Sequence, residues 1–142
     1  MISYDWPRLR GRFGNQLFQY AFIRTTAQKL ETKFFFPPWL GDKIFILNDD
    51  AERTDKDSSL QHFYREKISG ERFDKLSLNI QDGTKIKGIF QSEDYFDRDD
   101  IIEWFKFKDN IFSNVVKKYN YIDFSDSTGI HLRFGWGHWT QF

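Results

Sequence analysis

The chain has 142 residues, the length of one domain or part of one. Its 21 basic and 21 acidic residues cancel, which removes the long-range field that nucleic acid or an anionic membrane would need and sets a nucleic-acid binder aside. There is no Cys, hence no disulfide frame or thiolate metal site, and no run approaches the roughly 20 apolar residues of a membrane span.

A hydrophobic content of 39% with 17 Phe is enough for a packed core. The Phe excess is read as core material in preference to sugar-stacking platforms, because most Phe sit in apolar runs. The opening MISYDWPRLR carries no apolar signal core. A soluble chain of a reducing compartment is expected, cytoplasmic or peripheral at the inner membrane face.

Met1 to Tyr4 reads as a short extended segment. Gly11 to Tyr20 is a glycine-bracketed polar turn running into a helix expected to start near Asn15. Leu17, Phe18, Ala21, Phe22, Thr25, Ala27 and Leu30 follow the 3.6-residue period of its apolar stripe. A helix start presents free amides and partial positive charge, which suits a phosphate or another anion. The stretch fits neither the dinucleotide glycine pattern nor a Walker loop. A structural turn and a ligand site both stay open; Arg12, Asn15 and Gln16 together tip the reading toward a ligand, since a simple turn does not need three such side chains.

Lys33 to Phe36 is a second strand ended by Pro37-Pro38, and Lys43 to Leu47 a further extended segment. Strand, helix and strand in this order give the rhythm of a parallel sheet. Asn48 to Ser59 reads as an acidic surface loop. Its Asp55-Lys56-Asp57 matches a metal-holding Asp-x-Asp string, but lies in a solvated charge run. His62 to Tyr64 and Leu76 to Leu78 are weak extended candidates, and a lone His62 is expected at the surface or hydrogen-bonded in place of ligating. Gly70 and Asp82-Gly83 are turn signals.

Thr84 to Gln91 is a strand that turns apolar at Ile89-Phe90. Gln91, Ser92, Glu93 and Tyr95 lie just past its end, where open parallel sheets bind ligands. Ser92 or Asp94 capping a short helical turn is the alternative. Asp97 to Trp104 is expected as a helix capped by Asp97, which accounts for Asp97, Asp99 and Asp100 better than a metal does. Asp109 to Tyr119 is another helix, with Ile111, Phe112, Val115, Val116 and Tyr119 on one face. Asn120 to Ser127 is a polar link. Thr128 to Phe134 is a last strand carrying His131 and Arg133 on one face of the pleat.

Three stretches together resemble the α-1,2-fucosyltransferases of glycosyltransferase family 11. Gly11 to Ala21 (GRFGNQLFQYA) is similar to that family's first motif. Gly88 to Phe96 (GIFQSEDYF) is similar to its middle motif, and Gly129 to Gly135 (GIHLRFG) to its His-x-Arg-Arg-Gly-Asp signature. The first motif and His-x-Arg also resemble the protein O-fucosyltransferases. Order and spacing agree across almost the whole chain.

The resemblance implies an α/β fold, the Rossmann-like N-terminal half of a GT-B-type glycosyltransferase with a parallel sheet and flanking helices. Residues 1–126 would form that domain and 127–142 the start of the donor-binding domain. The implied activity is transfer of fucose from GDP-fucose to the 2-hydroxyl of a β-galactoside, inverting, with no metal and no cofactor beyond the donor. By motif position Arg133 would neutralise the departing diphosphate, with Asn15 as its catalytic partner. Arg12, Gly14, Gln16, His131, Gln91, Ser92 and Glu93 would bind substrate, and Glu93 is a possible base by position.

Phe134 and Trp136 replace the second Arg and the Asp of the signature, and residues past Gly135 do not follow it. A divergent member with another donor arrangement and a fragment with an off-frame or truncated tail are the two readings; the fragment is favoured. The rival from another class is a non-catalytic carbohydrate-binding or interaction domain using exposed Trp39, Trp104, Trp136 and Trp139.

Overall fold

A computed structural model describes residues 1–4, 11–54, 60–67 and 73–130. The chain divides into two compact units, Met1–Lys108 and Asp109–Phe142. The first holds a five-stranded, wholly parallel sheet with flanking helices, an α/β fold as expected.

The strands are β1 (Ile2–Tyr4), β2 (Phe34–Phe36), β3 (Glu52–Arg53), β4 (His62–Arg65) and β5 (Thr84–Lys87), in the order β3-β2-β1-β5-β4. β1 is central, and all three of its residues are buried. It pairs Ile2 with Phe34 on one side and Tyr4 with Ile86 on the other. A strand covered on both faces shows no alternation of exposure, and Ser3 is buried along with Ile2 and Tyr4.

Helix α1 (Phe13–Lys29) crosses from β1 to β2. It is buried without interruption from Gln19 to Ala27, so the one-sided stripe expected from the sequence is too narrow. The outer side is covered as well: the Arg24 guanidinium lies 4.4 Å from the Trp104 ring centroid. Arg24 also donates to the carbonyls of Leu47 (2.6 Å) and Asn48 (3.3 Å), pinning the chain after β2 to the helix. Glu31, at φ 50°, closes the helix, and the Thr32 N–H reaches back to the Ala27 carbonyl at 3.0 Å.

Lys43 to Leu47 was expected to be extended throughout. A single turn, α2 (Gly41–Ile44), comes first, and Phe45 then bridges antiparallel to Phe107. The Asp42 carboxylate favours the turn by accepting the Trp39 N–H at 3.1 Å. Leu76 to Leu78 is not a strand. It lies in the 3₁₀ turn Lys75–Asn79, capped by Asp74, because a Leu-x-Leu spacing serves either conformation. His62 opens β4 and is exposed, as read. Asp97 caps α3 (Arg98–Trp104), its carboxylate accepting the Asp99 N–H at 2.8 Å.

Part of the Phe excess is core, while Phe63, Phe107, Phe112 and Phe124 are exposed. Phe22, Phe34, Phe36, Phe45 and Phe90 are buried together with Ile2, Ile23 and Ile86. Each such ring withdrawn from water stabilises the fold by about 1.5–3 kcal/mol before entropy is counted.

In the second unit, α4 (Asp109–Lys118) forms where expected, with Asp109 in its first turn and Lys117 and Lys118 in its last. Taken by itself it buries none of its residues. The expected polar link contains a 3₁₀ turn, Phe124–Asp126, and Thr128 to Ile130, read as the start of a strand, has no strand pairing.

Candidate functional site

The carboxyl ends of adjacent strands β1 and β5 carry two of the stretches singled out in the sequence. After β1 the chain enters α1 through Gly11, whose φ is 79°. A Cβ there would stand 2.2 Å from Asn15 Nδ2 and 2.9 Å from Asn15 Cβ. Glycine is needed twice at this point, for the left-handed backbone and for the Asn15 side chain that fills the space. Gln16 Nε2 donates back to the Gly11 carbonyl at 3.4 Å, which closes the turn.

Arg12 is the N-cap of α1 and provides no side-chain cap; the first helical turn contains no acidic residue. The positive end of the helix is left without a carboxylate of its own turn, as an anion site requires. Among the described residues nothing lies within 4 Å of a Cβ built at Gly14.

Across from this turn, Gln91 Nε2 donates to Asn15 Oδ1 at 3.1 Å. The bond joins residues 76 positions apart and brings the first and middle stretches together. Phe90, the residue before Gln91, and Phe22 stack with ring centroids 3.7 Å apart, and Phe18 of α1 meets Phe96 at 5.9 Å.

Ser92 is buried, and its hydroxyl accepts the Asp94 N–H at 3.3 Å as cap of the 3₁₀ turn Glu93–Tyr95. The capping alternative therefore describes Ser92, whose oxygen is already engaged. Glu93 is exposed in that turn. Tyr95 is buried, and its hydroxyl donates to Glu66 Oε1 at 3.2 Å and accepts the Asp74 N–H at 2.8 Å.

His131 and Arg133 lie outside the described residues, as do Asp55, Lys56, Asp57 and Gly70. Trp39 and Trp104, read as exposed sugar platforms, are buried at 7% and 4% exposure. Trp39 stacks on Tyr20, and Trp104 lies under Arg24. Trp136 and Trp139 are outside the described residues.

Two polar clusters were not foreseen. Asp49, placed in a solvated loop by its acidic neighbours, has a side chain 6% exposed. It accepts from the Tyr20 hydroxyl, from Arg53 Nη2 at 2.8 Å and from the Ala51 N–H at 3.0 Å. Burial alone would raise its pKa, but the Arg53 and Tyr20 bonds and the Arg53 charge outweigh that and hold it below the usual carboxylate range. Arg53 also reaches Asp42 at 2.7 Å, so the cluster ties β3 to α1 and α2.

The second cluster is at the end of β4. Glu66 Oε2 accepts the N–H groups of Ile89 (2.8 Å) and Phe90 (3.0 Å), directly before Gln91. The sequence signal that could have found Glu66 is the rule used for Gln91, a polar residue just past a strand; β4 was read too weakly for its end to be located. Among the described residues no group of three or more His, Cys, Asp or Glu is placed to hold a metal ion, and no helix is long and apolar enough to cross a membrane.

Comparison of the chain with protein-family models, with curated proteins and with solved structures finds no match in any of the three.

Proposed function

We propose that the chain is a glycosyltransferase of the α-1,2-fucosyltransferase type, built on the Rossmann-like N-terminal half of a GT-B architecture. Its donor is GDP-fucose and its acceptor a β-galactoside. The observation that carries the reading is the Asn15–Gln91 hydrogen bond at 3.1 Å. It joins two of the three stretches on which the family resemblance rests, at the strand ends where open α/β sheets bind ligands.

The chemistry follows from the donor. The acceptor 2-hydroxyl oxygen attacks the anomeric carbon of fucose from the face opposite the diphosphate. The new C–O bond forms as the bond to the diphosphate breaks, and the configuration inverts. GDP leaves with the electron pair, and the hydroxyl proton passes to a base, for which exposed Glu93 is the candidate. Negative charge growing on the diphosphate is balanced in this reading by Arg133 and by the positive N-terminal end of α1. Asn15 and Gln91 orient the sugar or the phosphates, with Arg12, Gln16 and His131 as further contacts.

The test is GDP binding followed by turnover. GDP is titrated calorimetrically into the full chain, and GDP release from GDP-fucose is then measured with lactose as acceptor. Binding lost in Asn15→Ala and Arg133→Ala, and release that depends on lactose, support the reading. Absence of GDP binding sinks it.

A further inference from the structure

We propose that Glu66 is the positioning residue of this site: its carboxylate sets the backbone that presents Gln91 to Asn15. The proposal rests on the reading that Asn15 and Gln91 belong to a ligand site. It adds a residue from a different strand end that the sequence did not mark.

The starting observation is backbone strain at one residue. Phe90 has φ 61°, in the left-handed region that residues with a Cβ avoid. A large aromatic side chain persists there only where its surroundings over-determine it, and such residues gather at functional sites. Packing accounts for the ring, which is fully buried between Phe22 and Tyr95. Packing does not account for the sign of φ, since a ring can be buried from an extended backbone.

Glu66 does. Two successive amides, Ile89 and Phe90, converge on its Oε2 at 2.8 and 3.0 Å. Successive N–H groups turned toward one anion require the chain to curl, and the bonds are charge-assisted. The carboxylate is itself fixed. The Glu66 N–H donates to the Lys87 carbonyl at 2.9 Å, continuing the β4–β5 ladder, and its Oε1 accepts from Tyr95. Gly88 makes room for it: a Cβ at 88 would stand 2.7 Å from Glu66 Cβ and 2.8 Å from its Oε2. The next residue along the chain from the clamped amides is Gln91. Releasing Phe90 to negative φ redirects Gln91 away from Asn15.

Amide exchange and side-chain amide resonances of the full chain, by NMR, test this in Glu66→Gln and Glu66→Ala. The expected result is exchange of the Ile89 and Phe90 amides about tenfold faster or more, with β5 amides changed by less than about twofold. The Gln91 and Asn15 side-chain amides should shift to where they lie in Asn15→Ala and Gln91→Ala respectively. GDP, where it binds the unmodified chain, should bind Glu66→Gln about tenfold more weakly, and Glu66→Gln should add nothing in a Gln91→Ala background. Gln91 and Asn15 resonances that stay in place while the Ile89 and Phe90 amides lose protection overturn the proposal. So does unfolding of both variants, which would assign Glu66 to general stability. A chain that never binds GDP refutes the transferase reading alone; the amide data still decide the role of Glu66.

Discussion

Phe22 of α1 and Phe90 of the turn after β5 lie face to face, their ring planes 7° from parallel and their centroids 3.7 Å apart. This stack fixes the first helix to the turn after β5, one residue before Gln91. It also sets two opposing demands on residue 90, an aromatic ring for the core and a left-handed backbone for the turn. Phe90→Ala removes the ring and keeps a Cβ in the strained region, with an expected loss of about 3–5 kcal/mol. Phe90→Gly loses the same contacts but relieves the strain. Glycine should therefore be the more stable of the two variants by about 1 kcal/mol, reversing its usual disadvantage against alanine. Urea denaturation of both variants reads the order directly, and alanine as the better residue would contradict the left-handed assignment.

Much of the fold was open to the sequence. The apolar run Lys33 to Phe36 and the helical period after Gly14 sufficed for a parallel strand-helix-strand unit, because burial patterns are local. The Asn15–Gln91 contact was half accessible: Asn15 stood at an expected helix start and Gln91 just past a strand, but nothing in a single chain states that β5 lies beside β1. Asp49 and Glu66 were hidden for a different reason. Asp49 sits among Asp50 and Glu52 in a string that looks solvated, and only the return of Arg53 and the approach of Tyr20 make it a buried acceptor. Glu66 acts on backbone amides, which every residue carries, so its partners leave no side-chain signature.

Gly11 and Gly14, two residues of one turn, should respond oppositely to the same substitution. Gly11→Ala places a Cβ against Asn15 and forces an L-residue to φ 79°, with an expected cost of about 1–2 kcal/mol. Gly14 lies inside α1, and a Cβ there meets nothing among the described residues. Gly14→Ala should therefore raise stability, by up to about 1 kcal/mol from helix propensity. Should the proposed ligand approach the main chain at Gly14, the same variant loses GDP affinity while melting higher. Thermal denaturation with and without GDP separates the two effects, and a Gly14→Ala protein that melts lower than the unmodified chain would rule out an open helical Gly14.

Acid should unfold the protein through Asp74 and Asp49. Asp74 is 3% exposed and accepts from the N–H groups of Lys67 (3.2 Å) and Leu76 (3.0 Å) and from the Tyr64 hydroxyl (3.0 Å). Burial by itself raises its pKa; these bonds and the Lys67 charge outweigh it and hold the group below its ordinary value. A depressed folded-state pKa stabilises the native chain fully above the unfolded value near 4 and is lost as pH falls through the lower folded value. The urea midpoint should hold level from about pH 7 to about pH 5 and drop steeply below about pH 4. Asp74→Asn should lower stability at neutral pH by about 1–3 kcal/mol and flatten the acid slope. An unchanged acid slope in that variant would show that Asp74 is not linked to folding.

Alkali tests the same cluster from its other side. Burial pushes the Tyr95 phenol up to about 12, helped by the charge of Glu66 and the bond to it, and opposed by the Asp74 N–H that its oxygen accepts. A raised folded-state pKa favours the protonated phenol in the native chain. That contribution is complete below the unfolded value of about 10 and is lost as pH rises through the folded value. Urea midpoints should accordingly decline from about pH 10 upward. Tyr95→Phe removes the ionisable group, so its decline should be shallower than that of the unmodified chain. Glu66→Gln removes one cause of the shift and leaves burial in place. Its Tyr95 should titrate earlier, with the decline spread over a narrower range above pH 10. The two variants thus separate the phenol's burial from its bond to Glu66. A Glu66→Gln profile that superimposes on that of the unmodified chain would mean that the Tyr95–Glu66 bond carries no weight in solution, and that the clamp on Ile89 and Phe90 is not held from Tyr95.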